Sequence, residues 1–185
     1  MKDITKDSII QALIFLISQK SYEKITITDI TKKAGVSRMS FYRNYKKIDD
    51  VLIDAVDKLF NDFQTELDEC RGMDLKCFAE KYFEKLKENR NLIEVVKKSS
   101  CYEKLFDIVF KYNRIMMEKQ LGRNELTPEE IMILYYHSGG MYELIKFCSD
   151  IDFSIPVSKI METLNKAYPY AEDSLIDLKK ALEIK

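Results

Sequence analysis

The chain has 185 residues, 46% of them hydrophobic and 33% charged, enough for one or two domains with a core of their own, which excludes a disordered chain. Five glycines and three prolines are too few for the turns of an all-β protein, so the composition specifies mostly helix. A net charge of −1 argues as an average against a nucleic-acid partner, yet the average conceals two unlike parts. Up to Lys47, ten Lys and Arg stand against four acids, a balance of +6, while the remainder carries −7. Such asymmetry fits either a polyanion-binding module on a body that does not bind, or a solvated basic face.

Between Thr5 and Lys20, Ile9, Ile10, Leu13, Ile14, Leu16 and Ile17 recur at helical spacing and predict a first helix. Ile25-Thr26-Ile27-Thr28 alternates like a strand but has no second strand to pair with, and Thr26-x-x-Asp29 reads as a helix cap, giving a short helix over Ile27–Ala34. Gly35 stops it, and Ser37 is placed to cap a third helix over Arg38–Asn44. Further helices are predicted from about Asp49 to Glu69, Met73 to Glu88, Asn91 to Lys98 and Tyr102 to Leu121. Thr127-Pro128-Glu129-Glu130 combines a cap, a proline at the first helical position and a glutamate at the third; it opens a helix running to about Ser149. A last region begins near Pro156, breaks at Tyr168-Pro169 and ends with a stretch from about Ala171 to Ile184. The expectation is therefore an all-α chain, with an N-terminal domain over 1–47 and a helical body over 48–185.

The longest apolar run, Ala12 to Ile17, is far short of the roughly 20 residues a membrane helix needs, and the N-terminus makes a poor signal peptide. The reading is a cytoplasmic protein with no membrane partner. Cys70, Cys77, Cys101 and Cys148 are widely spaced and, with a single histidine, form no zinc constellation. Buried free thiols are expected, or else a redox-sensing one, and neither metal nor cofactor. There is no phosphate-cradling glycine loop, no G-x-S-x-G and no HExxH, so an enzyme is not expected.

The informative stretch runs from Thr26 to Leu52. Two short helices around Ala34-Gly35-Val36-Ser37 form the helix-turn-helix pattern, in which glycine permits the tight turn and the second helix enters a DNA major groove. Ile30, Val36 and Phe41 would pack against Ile10, Leu13 and Ile17, which leaves Arg38, Met39, Ser40 and Tyr42 facing outward. Arginine bonds guanine bidentately, serine bonds base or phosphate, and methionine meets a thymine methyl. Tyr42, Tyr45, Lys46 and Lys47 suit phosphate positioning.

With its long flanking helices, the pattern T-x-x-D-I-x-x-x-A-G-V-S-x-x-x-F-Y-x-x-Y over about residues 5–55 resembles the DNA-binding domain of the TetR family of bacterial transcriptional regulators. The resemblance implies an all-helical homodimer with Thr28, Ser37, Arg38, Met39, Ser40, Tyr42, Lys46 and Lys47 at double-stranded DNA. Departures from the family pattern occur at Met39, where glycine or proline is frequent; at Thr31, where alanine is favoured; and at Ile48, where lysine is usual and Lys47 is left to take its phosphate. In the body, Tyr136-His137-Ser138-Gly139-Gly140-Met141-Tyr142 followed by Pro156 looks like the C-terminal domain of a Gram-positive TetR subgroup that includes regulators of dihydroxyacetone kinase operons. The family's four-helix dimer interface would fall on the helices at 127–149 and 156–168. Gly139-Gly140 inside a helix suggests close packing against another helix.

Phe83, Tyr102, Phe106, Phe110, Met117, Tyr136 and His137 are either core residues or the lining of a site for a small apolar or aromatic inducer. The expected function is a ligand-responsive repressor binding an inverted repeat as a dimer. The alternative is a TetR-like DNA-binding protein acting through a protein partner, as an activator or a chromosome-associated docking protein.

Overall fold

Thr26 shows how locally this fold is written. Its side chain accepts the Asp29 N–H at 3.1 Å while Asp29 Oδ2 accepts the Thr26 N–H at 2.9 Å, a reciprocal cap that satisfies two backbone donors left over by the first turn of a helix. In the computed structural model, which describes residues 2–69 and 75–167, that helix is α2 (Ile27–Ala34). It follows α1 (Lys2–Gln19) and a 3-10 turn at Tyr22–Lys24. Gly35 ends α2 at φ +67°, in the left-handed region that costs a glycine nothing and a side chain about 1 kcal/mol or more. Ser37 then caps α3 (Arg38–Asn44), its Oγ accepting the Ser40 N–H at 3.0 Å. The chain continues as α4 (Ile48–Glu69), α5 (Leu75–Glu88), α6 (Arg90–Lys98), α7 (Tyr102–Leu121), α8 (Pro128–Asp150) and α9 (Val157–Ala167). All regular structure among the described residues is helical, and no described helix is long and apolar enough to cross a membrane. The expected break at Tyr168-Pro169 and the stretch from Ala171 to Ile184 lie outside the described residues.

The contacts divide the chain into two units, Met1–Phe60 with Asn91–Leu105, and Asn61–Arg90 with Phe106–Lys185. In the first, α1 packs on α2 and α3, burying Ile9, Ile10, Leu13, Ile30 and Phe41 together with Val51, Leu52 and Val56 of α4. Val36 and Ile17, expected in this core, are only half-buried. Leu92, Ile93 and Val96 of α6 are buried in the same unit.

In the second unit the cap of α8 forms as expected. Thr127 Oγ1 accepts the Glu130 N–H at 3.3 Å, the Glu130 carboxylate accepts the Thr127 N–H at 2.8 Å, and Pro128 sits in the first turn. Glu130 is buried, and Arg123 both pairs with it and donates to the Glu125 carbonyl. The buried carboxylate is thus neutralised rather than stranded. α5 packs on α9. Where α8 turns toward α9, Asp152 and Phe153 adopt φ of +50° and +51°, a left-handed pair in which the bulky phenylalanine is an outlier. The Phe153 N–H donates to the Cys148 carbonyl at 2.7 Å, and the ring is buried. Beside it is a cleft of about 400 Å³, lined by Phe83, Lys87, Cys148, Ile151, Phe153 and Ile160 among others. Cys101 and Cys148 are buried free thiols, and burial pushes that of Cys148 up. Neither Cys70 nor the Cys77 side chain is among those described.

Candidate nucleic-acid interface

The seven residues of α3 divide their labour. Phe41 is fully buried and packs on the Tyr45 ring at 5.8 Å between centroids, which fixes the helix against α1 and α2 and sends the other side outward. On that side Arg38 is exposed, Met39 is 70% exposed and Tyr42 48% exposed. Large side chains held in water at this level on a short capped helix are what a groove-reading surface requires. Ser40 is half-buried, and its Oγ lies 3.1 Å from Ser37 Oγ and accepts Arg43 Nη2 at 3.0 Å. Arg43 is exposed one turn beyond Met39 and adds a guanidinium to the same surface. The sequence reading passed over it, although its i, i+4 spacing from Met39 was a usable signal. Thr28 is exposed in the first turn of α2, and Lys46 is exposed after α3.

Tyr45 departs from expectation. It is 4% exposed, and its hydroxyl donates to Asp54 Oδ2 at 3.0 Å, so its hydroxyl is not directed at a phosphate. The same carboxylate oxygen accepts Lys6 Nζ at 2.9 Å, with that ammonium 5.2 Å from the Tyr45 ring centre. Burial, then the Asp54 charge, pushes the phenol above its ordinary range. Tyr45 therefore ties the end of α3 to α1 and α4. Lys47 is exposed, but its ammonium pairs with Asp49 Oδ2 at 3.0 Å.

Asp29 illustrates how the cap and the local charge combine. Its Oδ2 accepts Lys20 Nζ at 2.9 Å and Thr26 Oγ1 at 2.7 Å besides the Thr26 N–H, and these bonds, Lys20 first, hold the carboxyl well below the usual range. A carboxyl depressed on folding contributes stability above its unfolded pKa of about 4 and loses it as pH falls through the folded value. Asp29→Asn should therefore lower the melting temperature at neutral pH and leave a gap that closes as pH falls below about 4. Thermal melts from neutral to acidic pH check this, and parallel curves for the two proteins would contradict it.

The seven aromatic, methionine and histidine positions proposed for an inducer fall in several surroundings. Phe106 and Phe110 join Tyr135 and Tyr142 in an aromatic cluster, with Phe110 and Tyr135 centroids 4.7 Å apart. Met117 is buried against Leu134, Phe83 lines the cleft beside Phe153, and Tyr102 belongs to the N-terminal unit. Tyr136 is 65% exposed, and half-buried His137 has its pKa lowered by burial. Helical spacing shows that such residues share a face, but not which neighbouring helix that face meets.

The model of the bacterial regulatory proteins of the TetR family matches residues 9–55, the span of α1 through the first part of α4. No curated protein matches the chain in sequence. Among solved structures, the dihydroxyacetone kinase operon activator DhaS is similar with a TM-score of 0.62 over 94% of this chain and 97% of that one, at 13% identity. At that identity the likeness is one of fold, and it extends the agreement from the first 55 residues to the helical body. With a capped helix presenting Arg38, Met39 and Tyr42, residues 9–55 carry a DNA-binding domain of the TetR type, and this domain supports a DNA-binding transcriptional regulator.

Proposed function

We propose that the chain acts as a homodimer on an inverted-repeat operator, that it represses transcription there without enzymatic chemistry, and that a small apolar or aromatic molecule releases it. The observation that carries the DNA part of this reading is the outward face of α3, with Arg38, Met39, Tyr42 and Arg43 as base or phosphate contacts and Thr28, Ser37, Ser40 and Lys46 beside them. Two such helices on successive major grooves lie about 34 Å apart. A dimer through α8 and α9 is supported by what α8 leaves uncovered. Met132 and Tyr135 are 66% and 56% exposed, Tyr136 is also exposed, and among the described residues nothing beyond the helix's own nearby backbone and the adjacent residues lies within 4 Å of where a Cβ would stand on Gly139 or Gly140. Two glycines in a helix interior cost about 1 kcal/mol each. No contact among the described residues demands their smallness, whereas a second copy crossing there would.

Met132→Asp should therefore produce monomers and abolish binding to an inverted repeat recovered by selecting bound genomic fragments, while half-site contacts persist at lower affinity. Sedimentation equilibrium beside a binding titration checks it; a variant that stays dimeric moves the interface elsewhere. The inducer is supported by the cleft of about 400 Å³, within the size range of ligand sites.

A second reading has its own observation, since the structural neighbour is an activator. The dimer would then recruit a protein partner instead of blocking a promoter. Transcription reconstituted on the selected fragment separates the two by its sign.

A further inference from the structure

The turn from α3 into α4 carries a lysine pair, Lys46-Lys47, yet the structure surrounds it with two aspartates. Asp50 Oδ2 accepts the backbone N–H groups of Lys46 at 3.0 Å and Lys47 at 3.1 Å, so the two backbone donors just before α4 are already taken. Asp49 is the more constrained of the two. Tyr22 donates to its Oδ1 at 2.6 Å, Ser100 Oγ donates to Oδ2 at 3.1 Å, and Lys47 Nζ reaches the same Oδ2 at 3.0 Å. Its main-chain carbonyl accepts the Cys101 thiol at 3.8 Å. These contacts join the 3-10 turn, the start of α4 and the segment between α6 and α7, all within the N-terminal unit.

An ordinary surface ion pair contributes little because two mobile side chains must be ordered to make it. Here one partner is ordered already: the carboxylate is pinned from both oxygens, and only the lysine loses freedom. Consistently, the carboxyl is held below its usual range, by Tyr22 first, and the ammonium is raised by Asp49. Lys46, by contrast, is exposed and has no ion-pair partner among the described residues.

We propose that Asp49 is a positioning residue that withholds Lys47 from the DNA backbone, so that Lys46 alone supplies the phosphate contact of this turn. The proposal rests on DNA binding by the N-terminal domain and assigns unequal roles to two adjacent lysines that the sequence presents as equals. Asp49 lowers the affinity that the sequence charge would give for any DNA, and leaves discrimination to the face of α3.

The test is the salt dependence of binding to a random-sequence 24-base-pair duplex by the unaltered protein and by Lys46→Ala, Lys47→Ala, Asp49→Asn and Lys47→Ala/Asp49→Asn. Each phosphate contact contributes about 0.9 to the slope of log K against log salt. Lys46→Ala should reduce the slope by about that amount and Lys47→Ala should leave it unchanged. Asp49→Asn, whose amide oxygen still accepts Tyr22 or Ser100, should steepen it by about 0.9 and tighten binding at low salt. The double variant should return to the unaltered slope. A slope reduced by Lys47→Ala alone overturns the proposal, and so does a gain in Asp49→Asn that persists without Lys47, since the cause would then be lost repulsion and not a released lysine. Lys47→Ala changes an exposed side chain and decides the matter even where Asp49→Asn fails to fold. Failure of the unaltered protein to bind the duplex would overturn the DNA-binding reading first, and this proposal with it.

Discussion

Truncating Phe41 to alanine should cost the N-terminal unit about 3–5 kcal/mol, the range for removing a buried aromatic ring and leaving a cavity. The ring is fully buried, and it is the one buried side chain of a helix only seven residues long. Nothing else on α3 can replace its apolar contribution. Because typical domains are stable by only about 5–15 kcal/mol, urea melts should show an early transition in this variant, and DNA binding should fall with it. A loss under about 1 kcal/mol would mean that α3 is held by its caps and not by Phe41.

Arg38→Ala should have the complementary result, with a large effect on DNA recognition and almost none on the fold. Arg38 is exposed in the first turn of α3, where the N-terminal residues of a recognition helix meet base edges. Losing a bidentate guanine contact removes about 1–3 kcal/mol of discrimination between the selected operator and its single-base variants. Competition titrations against those variants measure it directly. Equal losses on all of them would make Arg38 a phosphate contact, and an unchanged footprint would remove it from the interface.

The elements legible in the sequence were those whose limits are set within a few residues. The bounds of α2 and α3 follow from the Thr26–Asp29 cap, from Gly35 and from Ser37, each acting over three or four positions. The start of α8 at Pro128 follows for the same reason. What was not legible depended on contacts far apart in the chain. Tyr45 reads as a phosphate-facing hydroxyl until Asp54 and Lys6 are seen to enclose it. The unequal fates of Lys46 and Lys47 depend on Tyr22 and Ser100, which lie 27 and 51 residues from Asp49. Gly139-Gly140 reads as a sign of close packing, but no such neighbour lies among the described residues.

The N-terminal unit is also discontinuous, because Asn91–Leu105 belong to it along with Met1–Phe60. During synthesis, this unit can be completed only after the ribosome has released the chain through Leu105. Until then the nascent reading head lacks α6, whose Leu92, Ile93 and Val96 are buried in the finished unit, and stays open to whatever holds unfinished chains. An excised fragment of the first 60 residues would remain in that unfinished condition, so grafting this reading head onto another protein requires carrying α6 with it.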